Sequence, residues 1–335
     1  MSVAPASPRI TRPAVVKAVV ALAVIAFAFA LPYVVSEYYV GVATLVLVSA
    51  ILAASINLLA GDGGLVSLGH AGISMAAGYG IAWSVKEELP FGVQLLVSLG
   101  VTLVVSAVFG LATMRMRGVF YLMITVALGM ICWGIAQKWS VVTGGDNGLS
   151  RNWPPEAIRP YWTYYFVVLA IFLLATLALW VISRSPFGLV LRGIRDSESR
   201  MRSLGYRIAS YKFAAMMLSG LFAGLAGVLM VWRTGFINPK SGDFIASALP
   251  LIMVVLGGLG TALGPLVGAV IVVLISQVLS SYVDRWQTVL GLLFIASVIL
   301  APRGLVGGVR SLAARVGGRI GGRRPPAPET PATTE

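Results

Sequence analysis

Polar positions are sparse along this chain, and the apolar ones run in long blocks. Ten blocks reach spanning length: 14–35, 39–60, 66–85, 91–113, 118–138, 161–182, 213–232, 244–260, 263–281 and 286–302. A helix needs about 20 mostly apolar residues to cross the hydrocarbon of a bilayer. The pattern therefore predicts an all-α polytopic membrane protein of about ten transmembrane helices. A secretory signal peptide is the rival reading of the first block. Its apolar stretch of about 20 residues exceeds the 7–15 of a signal-peptide core, so it is read as a span. The eighth block is short and runs into Gly257, Gly258 and Gly260.

Composition sharpens this picture. Hydrophobic residues make up 58% of the 335 and charged residues only 11%, against roughly 25% charged in a soluble domain. The single cysteine, Cys132, excludes an internal disulfide and a cysteine metal cluster. The single histidine, His70, excludes a histidine pair, so no metal site is expected. The net charge of +13 invites a nucleic-acid reading, but the placement of the charges argues against it. With the N-terminus in the cytoplasm, 18 of the 25 basic residues fall on the inner face, among them Arg9, Arg12, Lys17, Arg115, Arg117 and Arg303. The whole excess charge then lies inside, which is the positive-inside pattern and predicts that both termini are cytoplasmic. The run from Arg310 to Arg324 is expected to sit against anionic lipid headgroups.

Ten spans with both ends on one side divide into two antiparallel sets of five, an inverted repeat. The expected organisation is a cytoplasmic arm (1–13), a first half (14–138), an outer, periplasmic loop (139–160), a second half (161–302) and a basic tail (303–335) that ends in disorder. The second half contains an inner loop at 183–212. Each half carries a Gly-rich interruption, Gly61 to His70 and Gly257 to Pro265. The candidate hinge or packing glycines are Gly64, Gly69, Gly257, Gly258, Gly260 and Gly264. Paired breaks point to a midplane site; two tight turns between spans explain them equally well. Gly220 and Gly224, like Gly260, Gly264 and Gly268, have the spacing that packs membrane helices closely.

No acidic or basic side chain is placed deep in a span, where a proton-coupled carrier would bury a carboxylate. None of the five lysines follows a glycine, so no phosphate-binding loop exists. His70 has no partner for a hydrolase triad, and the chain is not expected to be an enzyme. An energy source outside the chain is the preferred reading; an ion-coupled secondary carrier with inverted repeats is the alternative. His70 either bonds a neighbouring helix or lines a path. In the loop 183–212, Leu189, Leu191, Ile194, Met201 and Leu204 form a sparse apolar stripe that ends at Gly205. That predicts one short amphipathic helix, lying on lipid or docked on a partner.

Four blocks of residues resemble one family. They are Gly64–Gly72; Gly118–Ala127 with Trp139, Thr143–Gly145 and Gly148–Leu149; Tyr211–Gly227; and Met253–Gly260 with Gly264–Pro265. In this order they resemble the inner-membrane permeases of bacterial branched-chain amino acid ABC transporters. The resemblance implies a second homologous permease, two cytoplasmic ATP-binding subunits and a periplasmic substrate-binding protein. ATP would be used by the partner subunits, and this chain would bind no cofactor. It implies a coupling role for Arg192, Gly193, Ile194, Arg195, Asp196, Glu198, Leu204 and Gly205. Ser67, His70, Thr125 and Thr143 are then the candidate path-lining groups, and the loops 139–160 and 233–243 the docking face of the binding protein. Branched-chain amino acids are the default substrate; relatives serve urea, short amides and aromatic acids. The chain departs from the family pattern at Arg200–Ser203, at Met130 and at Leu249, beside Pro250.

Overall fold

The computed structural model describes Ala26, residues 28–280, Tyr282, residues 286–300, Gly304, Leu305 and Gly307. The arm 1–13, most of the first apolar block and nearly all of 303–335 lie outside the described residues, as do Arg9, Arg12, Lys17, Arg303 and the Arg310–Arg324 run. From Glu37 onward the chain is a helical bundle. Its helices are α1 (Glu37–Asn57), α2 (His70–Lys86), α3 (Phe91–Thr113), α4 (Gly118–Lys138), α5 (Tyr161–Arg184), α6 (Pro186–Asp196), α7 (Glu198–Ser203), α8 (Ile208–Thr234), α9 (Phe244–Gly257), α10 (Gly264–Leu279) and α11 (Trp286–Leu300).

Among the described residues, five helices are long and apolar enough to cross a membrane: α3, α4, α5, α8, and α1 together with the turn that extends it to Asp62. The helices α9 and α10 are apolar but shorter, with 14 and 16 residues. Of the five long helices, α1, α3 and α5 run towards one end of the bundle, and α4 and α8 towards the other. One end of the bundle therefore gathers Asp62, Arg117, Arg184 and the α6–α7 arm; we call it the arginine-rich end. The other end holds the turn 87–90, the loop 139–160 and residues 235–243.

Helix starts follow local chemistry. Pro90 and Pro160 stand immediately before α3 and α5, and Pro186 takes the first turn of α6, where a missing N–H costs nothing. The Asp243 carboxylate accepts from the Ala246 N–H at 2.7 Å and caps α9. Residues Leu149 and Ser150 (β1) pair antiparallel with Ile237 and Phe236 (β2), tying the loop 139–160 to the segment after α8.

The core centres on α8, which packs on α1, α2 and α3; α1 packs in turn on α5, α9 and α10. Lipid removes the hydrophobic drive between helices, so close backbone approach carries the association. At Gly227 an added Cβ would stand 2.0 Å from the Ser74 carbonyl oxygen, so only glycine permits α8 and α2 to meet there.

Two expectations need correction. The block 66–85 is helical only from His70. Gly63 to Gly69 form a non-helical run in which the Leu65 N–H reaches back to the Leu59 carbonyl at 2.9 Å and Gly64 adopts φ +65°. The single amphipathic helix expected over 192–205 is two helices. Ser197, in extended conformation, ends α6 and caps α7 by accepting from the Arg200 N–H at 3.3 Å. A serine at this position competes for backbone hydrogen bonds and so breaks the run.

Candidate functional site

The two Gly-rich interruptions meet. Beyond Asn57, α1 widens into a buried π-helical turn, Leu58–Asp62. A Cβ at Gly61 would lie 2.6 Å from the Gly260 backbone nitrogen, so the two breaks touch through backbone. The Asn57 side chain joins them: its Oδ1 accepts from the Gly260 N–H at 2.8 Å, and its Nδ2 donates to the Thr261 carbonyl at 3.1 Å. A cavity of about 220 Å³ opens beside this junction, bordered by Asn57, Asp62, Thr176, Ser183, Arg184 and Thr261.

From Gly63 the chain turns into the bundle. His70 is buried at the first position of α2, and both ring nitrogens are engaged, Nδ1 with Ser67 Oγ at 2.9 Å and Nε2 with Ser219 Oγ at 2.6 Å. The Ser219 hydroxyl gives its one proton to the Ser55 carbonyl at 2.6 Å. It therefore accepts from His70 Nε2–H. In the neutral ring Nδ1 is then an acceptor, and Ser67 donates to it. Thr125 holds the same run from α4, accepting from the Leu68 N–H at 3.2 Å. Three helices thus clamp one non-helical segment.

Above it lies a cavity of about 340 Å³ between α1, α2, α8 and α9. Its wall is mostly apolar, with Leu52, Met75, Leu249 and Met253, and its polar groups are Ser49, Ser74, Thr234, Asn238 and Ser241. Pro250 lies inside α9 and borders this cavity together with Ala246. Proline has no N–H to return to the residue four before it, so the Ala246 carbonyl loses its helical donor.

At the arginine-rich end, the α6–α7 arm is latched to the junction. Arg192 donates to Asp62 Oδ1 and to the Ser183 carbonyl, both at 2.8 Å. Arg195 donates to the Gly61 carbonyl at 2.6 Å. Below them, Glu198 takes Lys212 Nζ on one oxygen and Arg117 Nε on the other, the latter at 2.5 Å. Lys212 also donates to the Met116 carbonyl at 2.8 Å and is fully buried. Leu191, Ile194 and Met201 are buried beneath the arm, while Leu189 and Leu204 are 62% and 66% exposed.

Residues 38–300 match the family model of the branched-chain amino acid transport system permease component. The chain belongs to this permease family. It is 29% identical over 316 residues to the high-affinity branched-chain amino acid transport system permease protein LivM of Salmonella typhimurium, covering 85% of this chain and 74% of that one. The LivM of Escherichia coli is 29% identical over 314 residues, with the same coverage. The autoinducer 2 import system permease protein LsrC of Photorhabdus laumondii is 32% identical over 95 residues, 27% of this chain and 28% of that one.

In the permease, Ser67, His70 and Thr125 come together around one segment, whereas Thr143 sits apart at the opposite end. There it donates to the Ala136 and Trp139 carbonyls and borders a separate apolar pocket. Gly64 packs on the Arg195 side chain, and Gly69 on Phe109 and Thr125. Gly257, Gly258 and Gly264 form the tight turn between α9 and α10. Of the arm residues, Arg192, Arg195 and Glu198 bind the bundle, Gly193 packs on Met201, Ile194 is buried, Asp196 pairs with Arg195, and Leu204 and Gly205 end α7. Sequence reading missed Asn57, Ser219, Lys212 and the cavity serines. Asn57 carried a signal, as an amide at the end of an apolar block; the serines, scattered along spans, carried none.

Proposed function

We propose that this permease is the membrane-spanning subunit of an ATP-driven importer for branched-chain amino acids or small solutes of similar build. It works in the inner membrane with a second homologous permease, two cytoplasmic ATP-binding subunits and a periplasmic binding protein. The arginine-rich end is the cytoplasmic one in this reading. The bundle is read as two inverted halves, because α8 packs on α2 and α3 much as α1 packs on α9 and α10.

The observation that carries the proposal is the double latch of Arg192 on Asp62 and Arg195 on Gly61. It links an exposed apolar rim, Leu189 and Leu204, to the place where the two broken segments touch. When ATP closes the partner ATPases on that rim, the arm moves as a lever, and the junction at Gly61 and Gly260 is the first part of the core to feel it. Solute enters from the binding protein at the opposite end, over the loops 139–160 and 233–243, and occupies the cavity between α1, α2, α8 and α9. Serine hydroxyls, the Asn238 amide and the Ala246 carbonyl offer polar contacts, and the apolar wall holds an aliphatic side chain. Ser67, His70 and Thr125 form the floor, since Ala71 and Ser74 of the cavity follow His70 on α2. Thr143 belongs to the outer entry. Among the described residues no charged side chain lines this cavity, which suits weak, transient binding of a net-neutral zwitterion.

A mild-detergent pull-down of the tagged chain from native membranes tests the assembly. Recovery of two nucleotide-binding subunits and a second permease is the expected result. Recovery of the chain alone across several detergents, together with uptake in vesicles driven by an ion gradient without ATP, would overturn it in favour of a secondary carrier.

A further inference from the structure

A cavity of about 520 Å³ opens at the end of the bundle opposite the arginine-rich one, where α1 and α5 begin and α8 ends. It is lined by three charges, Glu37, Arg159 and Arg233, and by aromatic rings that include Tyr38, Trp153 and Tyr161. Among the described residues these three charges form no ion pair. Among the described residues the ion pairs are Arg117–Glu198, Arg192–Asp62, Arg195–Asp196 and Lys212–Glu198, and all lie at the other end. Arg233 directs Nε and Nη2 to the Gly41 carbonyl at 3.2 and 3.0 Å and reaches no carboxylate among the described residues. A half-buried guanidinium held on a neutral carbonyl retains most of its charge for another acceptor.

We propose that this cavity binds the headgroup of an ammonium-bearing phospholipid. The phosphate lies on Arg233 and Arg159, whose forked guanidinium donors match phosphate oxygens. The ammonium lies toward Glu37 and the aromatic faces, which attract a cation electrostatically. A solute that joins an anion and an ammonium on one short frame answers a cavity with charges of both signs, and a free amino acid shares that chemistry. The setting selects the lipid. Tyr38, Trp153 and Tyr161 at the rim are 63%, 48% and 44% exposed, and Tyr39 and Trp162 stand nearby at 61% and 52%. Exposed Tyr and Trp gathered at one end of a membrane bundle mark headgroup depth.

The test is native mass spectrometry of the full chain, purified from native membranes in mild detergent, with extracted phospholipid quantified per chain. Retained phosphatidylethanolamine is expected to fall roughly tenfold in Arg233→Gln, as for loss of a charge-assisted hydrogen bond. Arg159→Gln, an exposed change that leaves the Arg233–Gly41 contact in place, is expected to fall in the same direction while elution stays monodisperse. Glu37→Gln is expected to shift retention toward phosphatidylglycerol. Unchanged lipid in both arginine variants would overturn the proposal. So would displacement of the wild-type lipid by millimolar leucine or inorganic phosphate, which would make this a site for a free solute.

Discussion

The side chain of Asn57 holds Thr261, its amide donating to the Thr261 carbonyl at 3.1 Å, while its carbonyl oxygen takes the N–H of Gly260. One residue at the end of α1 therefore joins the Gly-rich break after α1 to the one between α9 and α10.

Replacing Asn57 by Leu removes both bonds and leaves a backbone N–H without its acceptor. Each bond contributes about 0.5–1.5 kcal/mol, and the orphaned donor adds its own cost. The chain is expected to insert normally, to melt lower in detergent and to lose most uptake. Asn57→Asp, which keeps the acceptor for Gly260, is expected to lose less. Equal uptake by wild type and Asn57→Leu would remove the junction from the mechanism.

Glu198 serves two cations, and Lys212 is buried beneath it. Glu198→Ala strands that ammonium. Breaking one side of a buried pair costs about 3–5 kcal/mol. Lys212→Met, of similar length without charge, is expected to cost much less, and the double variant is expected to recover much of the Glu198→Ala loss. A thermal-unfolding cycle of the four proteins measures this; strictly additive losses would show that the two groups do not interact.

Leu189 and Leu204 are exposed on the arm, whereas Leu191 and Ile194 are buried. Changing both exposed residues to Glu is expected to leave insertion and thermal stability unaltered. It should lower ATPase co-purification and uptake by roughly tenfold or more, as for the loss of central interface anchors. Leu191→Glu should instead destabilise the chain itself. If the exposed pair tolerates Glu with full uptake, the partner docks elsewhere.

Pro250 breaks the hydrogen bonding of α9 beside the 340 Å³ cavity. Proline inside a helix costs about 3 kcal/mol or more. Pro250→Ala returns an N–H to the Ala246 carbonyl and is expected to raise the melting temperature while reducing uptake. A variant that is both more stable and fully active would show that the free carbonyl has no part in transport.

The family match accords with the motif blocks that ran from Gly64 to Pro265, and each of the five long helices overlaps a block legible from apolar runs alone, with α1, α5 and α8 running two to five residues past the block ends. The glycines of the two breaks were legible too, because glycine is conspicuous where apolar residues are the rule. Their partnership was not. Gly61 and Gly260 touch through backbone, and backbone contact leaves no mark on residue identity beyond the missing side chain.

The arm shows the same division. Its apolar stripe was visible as a pattern, but the pattern gave one face and the fold uses two. Leu191 and Ile194 lie on the inward face of α6 and Leu189 on its opposite face, while beyond the break at Ser197 Met201 packs inward from α7 and Leu204, at its end, faces out. Ser67, His70 and Thr125 were chosen one by one as polar groups in apolar surroundings; Ser219, which completes their network together with the Ser55 carbonyl, lies 149 positions from His70. By itself the sequence determined that the chain is a polytopic membrane protein, since hydropathy is a property of single segments, and its motif blocks carried the resemblance to the permease family. Only the tertiary structure decided which broken segments meet, which charges pair and which stay open. Those depend on distances between residues up to 204 positions apart, and hydrogen bonds and ion pairs act only within a few ångströms.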